Sequence, residues 1–240
     1  MKSVTKSFLF LCLLSLLASA TPKKPVAIYL IGDSTVADYT LDSGYMEKRF
    51  PLHGWGQVFQ GFFRKDSLAK VKNLINSDSV IVLDKARGGR STRTFFEEGR
   101  WAAVYKVLKK NDIVMIQFGH NDAAIDKPER YVTIAGYKEF LRLYVNQTRQ
   151  KEAVPILITP VNRNYPWKDG KLSNVHGEYP KAVKEVAREL NVKLIDLTQL
   201  SIDAFSAKGQ TEVTSSYFMN FEKGLYSGYP DGQKDNTHFQ

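Results

Sequence analysis

Short apolar runs recur along the chain at residues 26–31, 80–83, 113–118, 154–159 and 192–197, rich in β-branched side chains. Continuous runs of this length are the pattern of strands covered on both faces. Between them, apolar residues fall at three- and four-residue intervals over 55–64, 92–108, 133–150 and 179–190, which predicts amphipathic helices. Strand alternating with helix predicts an α/β domain: a three-layer α/β/α sandwich around a five-stranded parallel sheet, doubly wound in the flavodoxin-like manner. Residues 165–178, with Pro166, Gly170 and Gly177, read as a long surface loop.

In such sheets ligands bind beyond the carboxyl ends of the strands, near the point where strand order reverses. Three segments fall just past predicted strand ends: Gly32-Asp33-Ser34, Gly88-Gly89 and Gly119-His120-Asn121-Asp122. A serine hydroxyl needs a base to act as a nucleophile. Asp235-Asn236-Thr237-His238 supplies one, with a carboxylate three residues before an imidazole, so that one turn of backbone lets them hydrogen-bond. Ser34, Asp235 and His238 therefore read as an acyl-transfer triad, and Asn121 places a side-chain amide where oxyanion donors commonly sit.

Each residue also has a structural reading. Ser34 fits an exposed turn, Asn121 a helix cap, Gly88-Gly89 an anion-binding nest, and Asp235 with His238 a metal site. The other histidines, His53, His120 and His176, lack paired ligand spacing, so no metal and no cofactor is expected. His120 reads as a packed structural histidine and Asp33 as the anchor of its turn. Arg90 and Arg93 carry planar forks suited to substrate carboxylates, and Trp167 with Tyr165 offers rings for stacking on sugars.

The first 20 residues change the setting. Lys2 and Lys6, an apolar run over 8–17 and Ala18-Ser19-Ala20 form the three-part layout of a cleavable signal peptide, residues 1–20, with removal after Ala20. That run falls short of the roughly 20 residues that span a bilayer, so a secreted or periplasmic protein with no stable membrane insertion is expected. Cys12, the only cysteine, lies in the segment to be lost. Residues 21–240 are then one domain, expected to be a monomer, with 32 basic against 25 acidic residues. That surplus favours a polyanionic partner. The cations are scattered without a basic stripe, which argues against nucleic acid and for an acidic polysaccharide.

Position by position, the chain resembles the SGNH (GDSL-type) hydrolases: Ser34, the Gly of Gly88-Gly89-Arg90-Ser91, Asn121 and His238 follow in the expected order. The strings Ile31 through Val36, Gly54-Trp55-Gly56-Gln57, Arg93-Thr94-Phe95, Thr159 through Arg163 and His176-Gly177-Glu178-Tyr179-Pro180 look like those of rhamnogalacturonan acetylesterases and related bacterial carbohydrate acetylesterases. The resemblance implies a serine esterase in which the N–H groups of Ser34 and Gly89 and the amide of Asn121 form the oxyanion hole. It implies removal of O-acetyl groups from pectin, in particular rhamnogalacturonan, with an acetylated acidic polysaccharide as partner. The alternatives are an acetylxylan or general GDSL esterase or lipase, and an inactive pectin-binding homologue. Val36 stands where the lipase elbow Gly-x-Ser-x-Gly needs its second glycine, which argues against that elbow. The chain stops two residues after His238, whereas this family usually continues into a closing helix; a domain without that cover, and a mobile His238, are expected.

Overall fold

The computed structural model of the protein describes residues 24–240, so the expected signal peptide lies outside the described residues. In chain order the strands are β1 (Val26–Gly32), β2 (Val80–Asp84), β3 (Ile113–Gln117), β4 (Val154–Ile158), β5 (Trp167–Lys168), β6 (Lys171–Leu172), β7 (Lys193–Ile195), β8 (Phe218–Phe221) and β9 (Gln233–Phe239). The helices are α1 (Tyr45–Lys48), α2 (Gly56–Phe59), α3 (Lys65–Ala69), α4 (Thr92–Glu97), α5 (Arg100–Val107), α6 (Ile134–Gln150), α7 (Tyr179–Glu189), α8 (Leu197–Lys208) and α9 (Gln210–Ser216). The five expected strands form one parallel sheet in the order β2-β1-β3-β4-β7. Strand order reverses between β1 and β3, which puts the crevice beyond their carboxyl ends.

Alternate residues of β1 feed two cores. Tyr29 and Ile31 join Phe95, Trp101, Tyr137, Tyr144 and Val183 under α4 to α7. Ile28 and Leu30 join Val36, Leu68 and Ile75 on the opposite face, with Trp55, Phe59 and Leu197 packed against them. The three-layer sandwich follows from this two-sided burial. The second face is covered less completely, and Trp55, Phe59, Met115, Ile195 and Phe239 line an open apolar groove of about 290 Å³.

Several elements differ from the sequence pattern. The helix expected over 92–108 is broken into α4 and α5 at Gly99, whose φ of 72° leaves the right-handed helical region. The one expected over 55–64 is a single α turn followed by a 3₁₀ turn over Gln60–Phe62. Within 165–178, β5 and β6 make a minimal hairpin. Past β7, α8, α9 and an antiparallel β8–β9 pair add a layer that the periodicity does not announce.

Candidate active site

Ser34 leaves the end of β1 in a tight turn whose carbonyl at Asp33 accepts the N–H groups of Val36 and Ala37. Asp33 anchors that turn as expected, its Oδ1 accepting Thr35 N at 2.9 Å and Thr35 Oγ1 at 2.8 Å. The turn needs glycine before it, because a Cβ on Gly32 would lie 2.6 Å from both the Gln117 carbonyl oxygen and Val36 Cγ2. Gly32 thus lets β1 pass against β3 at the point where the nucleophile emerges.

The loop after β2 is bound to the same strand end, with Lys85 N donating to Leu30 O and Arg87 N to Gly32 O. It carries Gly88 against Ser34, a Cβ on Gly88 falling 3.6 Å from Ser34 Cβ, and then Gly89 in the left-handed region at φ 81°. Asn121, past β3, is buried and donates Nδ2 to the Arg90 carbonyl at 2.9 Å. This bond fixes the amide plane while its NH₂ keeps a second N–H. Asp122 Oδ1 accepts Thr92 N at 2.9 Å and Thr92 Oγ1 at 2.5 Å, tying the β3 loop to the start of α4. The three segments that carry Ser34, Gly89 and Asn121 are therefore mutually braced.

His238 reaches this point from the other end of the chain. Its Nε2 lies 2.9 Å from Ser34 Oγ and its Nδ1 2.6 Å from Asp235 Oδ2. The carboxylate accepts only, so Nδ1 carries the proton and Nε2 is free to accept the serine hydroxyl. The local fold that brings carboxylate and imidazole together is a wide bulge. Between the pairs Asn220↔Lys234 and Phe218↔Phe239, β8 advances two residues while β9 advances five. The surplus loops out, and Asp235 Oδ1 accepts the backbone N–H groups of Thr237 and His238 at 2.7 and 3.1 Å.

Two buried or half-buried asparagines hold the bulge. Asn164 donates its backbone N–H to Asn236 O and its Nδ2 to Asn236 Oδ1, and Asn220 Nδ2 donates to Asp235 O and Asn236 Oδ1. His238 lies within this bulge of β9, next to Phe239, which pairs with Phe218 and whose carbonyl accepts His53 N. Asn164 and Asn220 were not visible as site residues, since a lone asparagine far from any motif carries no signal.

Partial burial opposes ionisation of Asp235, but the His238 hydrogen bond and charge and the two N–H donors outweigh it and hold the carboxyl below its ordinary range. Burial pushes Asp33 up and raises Asp122 to about 7, in each case against hydrogen bonds from a threonine. His120 and His176 pack ring to ring at 4.5 Å. Burial first, and then the Arg163 charge beside His120 and the neighbouring histidine beside His176, hold both well below the usual imidazole range.

Residues 30–219 match the family model described as GDSL-like Lipase/Acylhydrolase. The chain belongs to that family. It is a carboxylic ester hydrolase. Rhamnogalacturonan acetylesterase RhgT of Bacillus subtilis (strain 168) is 37% identical over 217 residues, covering 90% of this chain and 84% of that protein. A rhamnogalacturonan acetylesterase of Emericella nidulans is 28% identical over 227 residues, 85% of this chain and 79% of the fungal one. The crystal structure of YxiM from Bacillus subtilis aligns with a TM-score of 0.69 at 27% identity over 90% of this hydrolase, which spans about half, 52%, of the YxiM chain.

The cations that surround Ser34 in this hydrolase are not Arg90 and Arg93. Ser34, Gly89, Asn121, Asp235 and His238 line a cavity of about 680 Å³ together with Arg49, Lys127, Arg130 and Arg163. Arg90 and Arg93 do not line it. Arg90 is taken up by Glu98 and the Gly88 carbonyl, and Arg93 by Glu97 and the carbonyls of Pro128 and Glu129. Trp167, in the β5–β6 hairpin, does not line it either, and its Nε1 donates to Asn164 O and Oδ1.

Proposed function

We propose that this GDSL hydrolase is a serine carbohydrate O-acetylesterase that releases acetate from acetylated pectin, in particular rhamnogalacturonan, after export directed by residues 1–20. The observation that carries the reading is the unbroken relay from Asp235 through His238 to Ser34, at 2.6 and 2.9 Å. Ser34 Oγ attacks the acetyl carbonyl as His238 Nε2 takes its proton, with Asp235 stabilising the imidazolium. The N–H groups of Ser34 and Gly89 and the amide of Asn121 receive the developing oxyanion. Collapse of the tetrahedral intermediate expels the sugar hydroxyl, protonated by His238, and leaves acetyl on Ser34. Water, activated by the same imidazole, then attacks the acyl-enzyme and returns acetate and free serine.

A wide, cation-lined cavity supports a charged, hydrated substrate over a long acyl chain, which calls for an apolar slot. The relatives named as rhamnogalacturonan acetylesterases support the same choice. The test is acetate release from acetylated rhamnogalacturonan, acetylated xylan and p-nitrophenyl acetate. The first is expected to be turned over fastest among the polysaccharides, and a protein that frees acetate from none of them overturns the reading. Ser34→Ala is expected to lower kcat by about 10⁴-fold or more without changing the melting temperature. Activity surviving that change removes Ser34 from the mechanism.

A further inference from the structure

We infer that Arg130 binds a uronic acid carboxylate of the substrate beside the acetylated sugar, an inference that rests on the acetylesterase reading and sharpens it. Of the four cations lining the cavity, three are committed or loosely held. Arg163 donates Nη1 to Tyr165 Oη and directs Nε and Nη2 at His120. Arg49 lies over the Tyr39 ring with Nε 3.7 Å from Asp42, and its side chain is half exposed. Lys127 is exposed, on the same loop as the acidic Asp126 that also lines the cavity.

Arg130 differs. Its side chain is 22% exposed, and its Nε is buried with no hydrogen-bond partner. The nearest carboxylate, Glu129, stands 3.8 Å away and is itself largely exposed. No side-chain hydrogen bond among the described residues engages this guanidinium, and its Nη groups on the cavity side are available to a planar anion through paired N–H···O bonds. The placement is also specific, because Nη1 lies 3.6 Å from the position of a Cβ on Gly89, the glycine proposed to donate to the oxyanion. An anion held there is within one sugar residue of the scissile ester.

The loop that presents Arg130 is held in place. Arg93 Nη2 donates to the carbonyls of Pro128 and Glu129 at 3.0 Å each, on the two residues before it. Val132 N donates to Asp122 O and Arg130 N to Lys127 O. Arg93 is therefore a positioning residue for Arg130 and not itself a contact. A loop that is held before the ligand arrives loses little backbone freedom on binding.

The test is inhibition of p-nitrophenyl acetate hydrolysis by a short unacetylated galacturonate oligosaccharide and by its carboxyl-reduced, neutral counterpart. The acidic compound is expected to inhibit about 10- to 100-fold more strongly, in line with hydrogen bonds to a charged group, and to lose strength as salt is added. Arg130→Gln is expected to bring the ratio of the two inhibition constants close to one. Arg130→Lys, which keeps the charge without the fork, is expected to fall between and provides the comparison if the glutamine variant does not fold. An unchanged ratio in either variant, or equal inhibition of the unmodified protein by both compounds, overturns the assignment. Failure of the acetylesterase reading is seen separately, as an active protein that frees no acetate from any acetylated polysaccharide; the inhibitor ratio still decides the role of Arg130.

Discussion

Gly89 follows Gly88, which packs against Ser34, and its φ of 81° lies in the left-handed region, where an L side chain costs about 1–2 kcal/mol of backbone strain. A Cβ there would reach ordinary contact distance, 3.6 Å, from Arg130 Nη1, so the backbone conformation and not space sets the cost. Gly89→Ala is therefore expected to lower kcat by about 10²-fold or more, the loss typical of a displaced oxyanion donor, with a far smaller change in KM; steady-state kinetics on p-nitrophenyl acetate check it. Ser34, Asp235, His238 and Asn121 were legible in the sequence because each stands in a short string whose chemistry demands that residue type. The cations that line the cavity were not. Arg90 and Arg93 sit next to the oxyanion glycine in sequence, yet Glu98, Glu97 and backbone carbonyls absorb them. Arg130, distant in sequence, comes beside Gly89 only through the fold.

At the level of elements, a line of polar side chains crosses from the second face to the serine turn. Trp55 Nε1 donates to Gln117 Oε1 at 2.9 Å, Gln117 Nε2 donates to Thr35 Oγ1 at 2.8 Å, and Thr35 Oγ1 donates to Asp33 Oδ1. Gln117 is the last residue of β3 and fully buried, so it locks the ends of β1 and β3 to the segment before α2. Gln117→Leu takes the acceptor from the half-buried Trp55 indole N–H and removes a donor from the turn, at about 1–3 kcal/mol per unsatisfied group. Urea unfolding is expected to register a loss of roughly 2–4 kcal/mol. The five sheet strands were readable because burial on both faces leaves a continuous apolar run. β9 was not, since Gln233–Phe239 is a polar segment with no alternation, held by the Asn164 and Asn220 bonds and its pairing with β8. The split of 92–108 at Gly99 was equally hidden, because the apolar spacing continues across the break.

For the molecule as a whole, pH acts on stability through buried groups behind the site. Asp122 is fully buried, and burial raises its carboxyl from 3.8 to about 7. Between those values the unfolded chain has released a proton that the folded one retains, so this residue's contribution falls as pH rises through that window. From pH 5 to pH 8 the loss amounts to about 2–3 kcal/mol. Asp122→Asn has no proton to release, and its stability relative to the parent is expected to improve by that amount over the same interval, whatever constant offset the amide brings. Denaturant melts at the two pH values measure it. The buried His120 and His176, held low, act in the opposite sense: their contribution is complete above the ordinary imidazole range and is lost as pH falls below it.

Ser34 and His238 are 204 positions apart, and the base rides on β9 of the two-stranded β8–β9 sheet, which is separate from the central one. A half-buried strand pair opens at lower free energy than a central sheet. Gentle denaturation is therefore expected to silence the enzyme before it melts it, and a chain still being synthesised carries only an inert alcohol until the segment with His238 has docked.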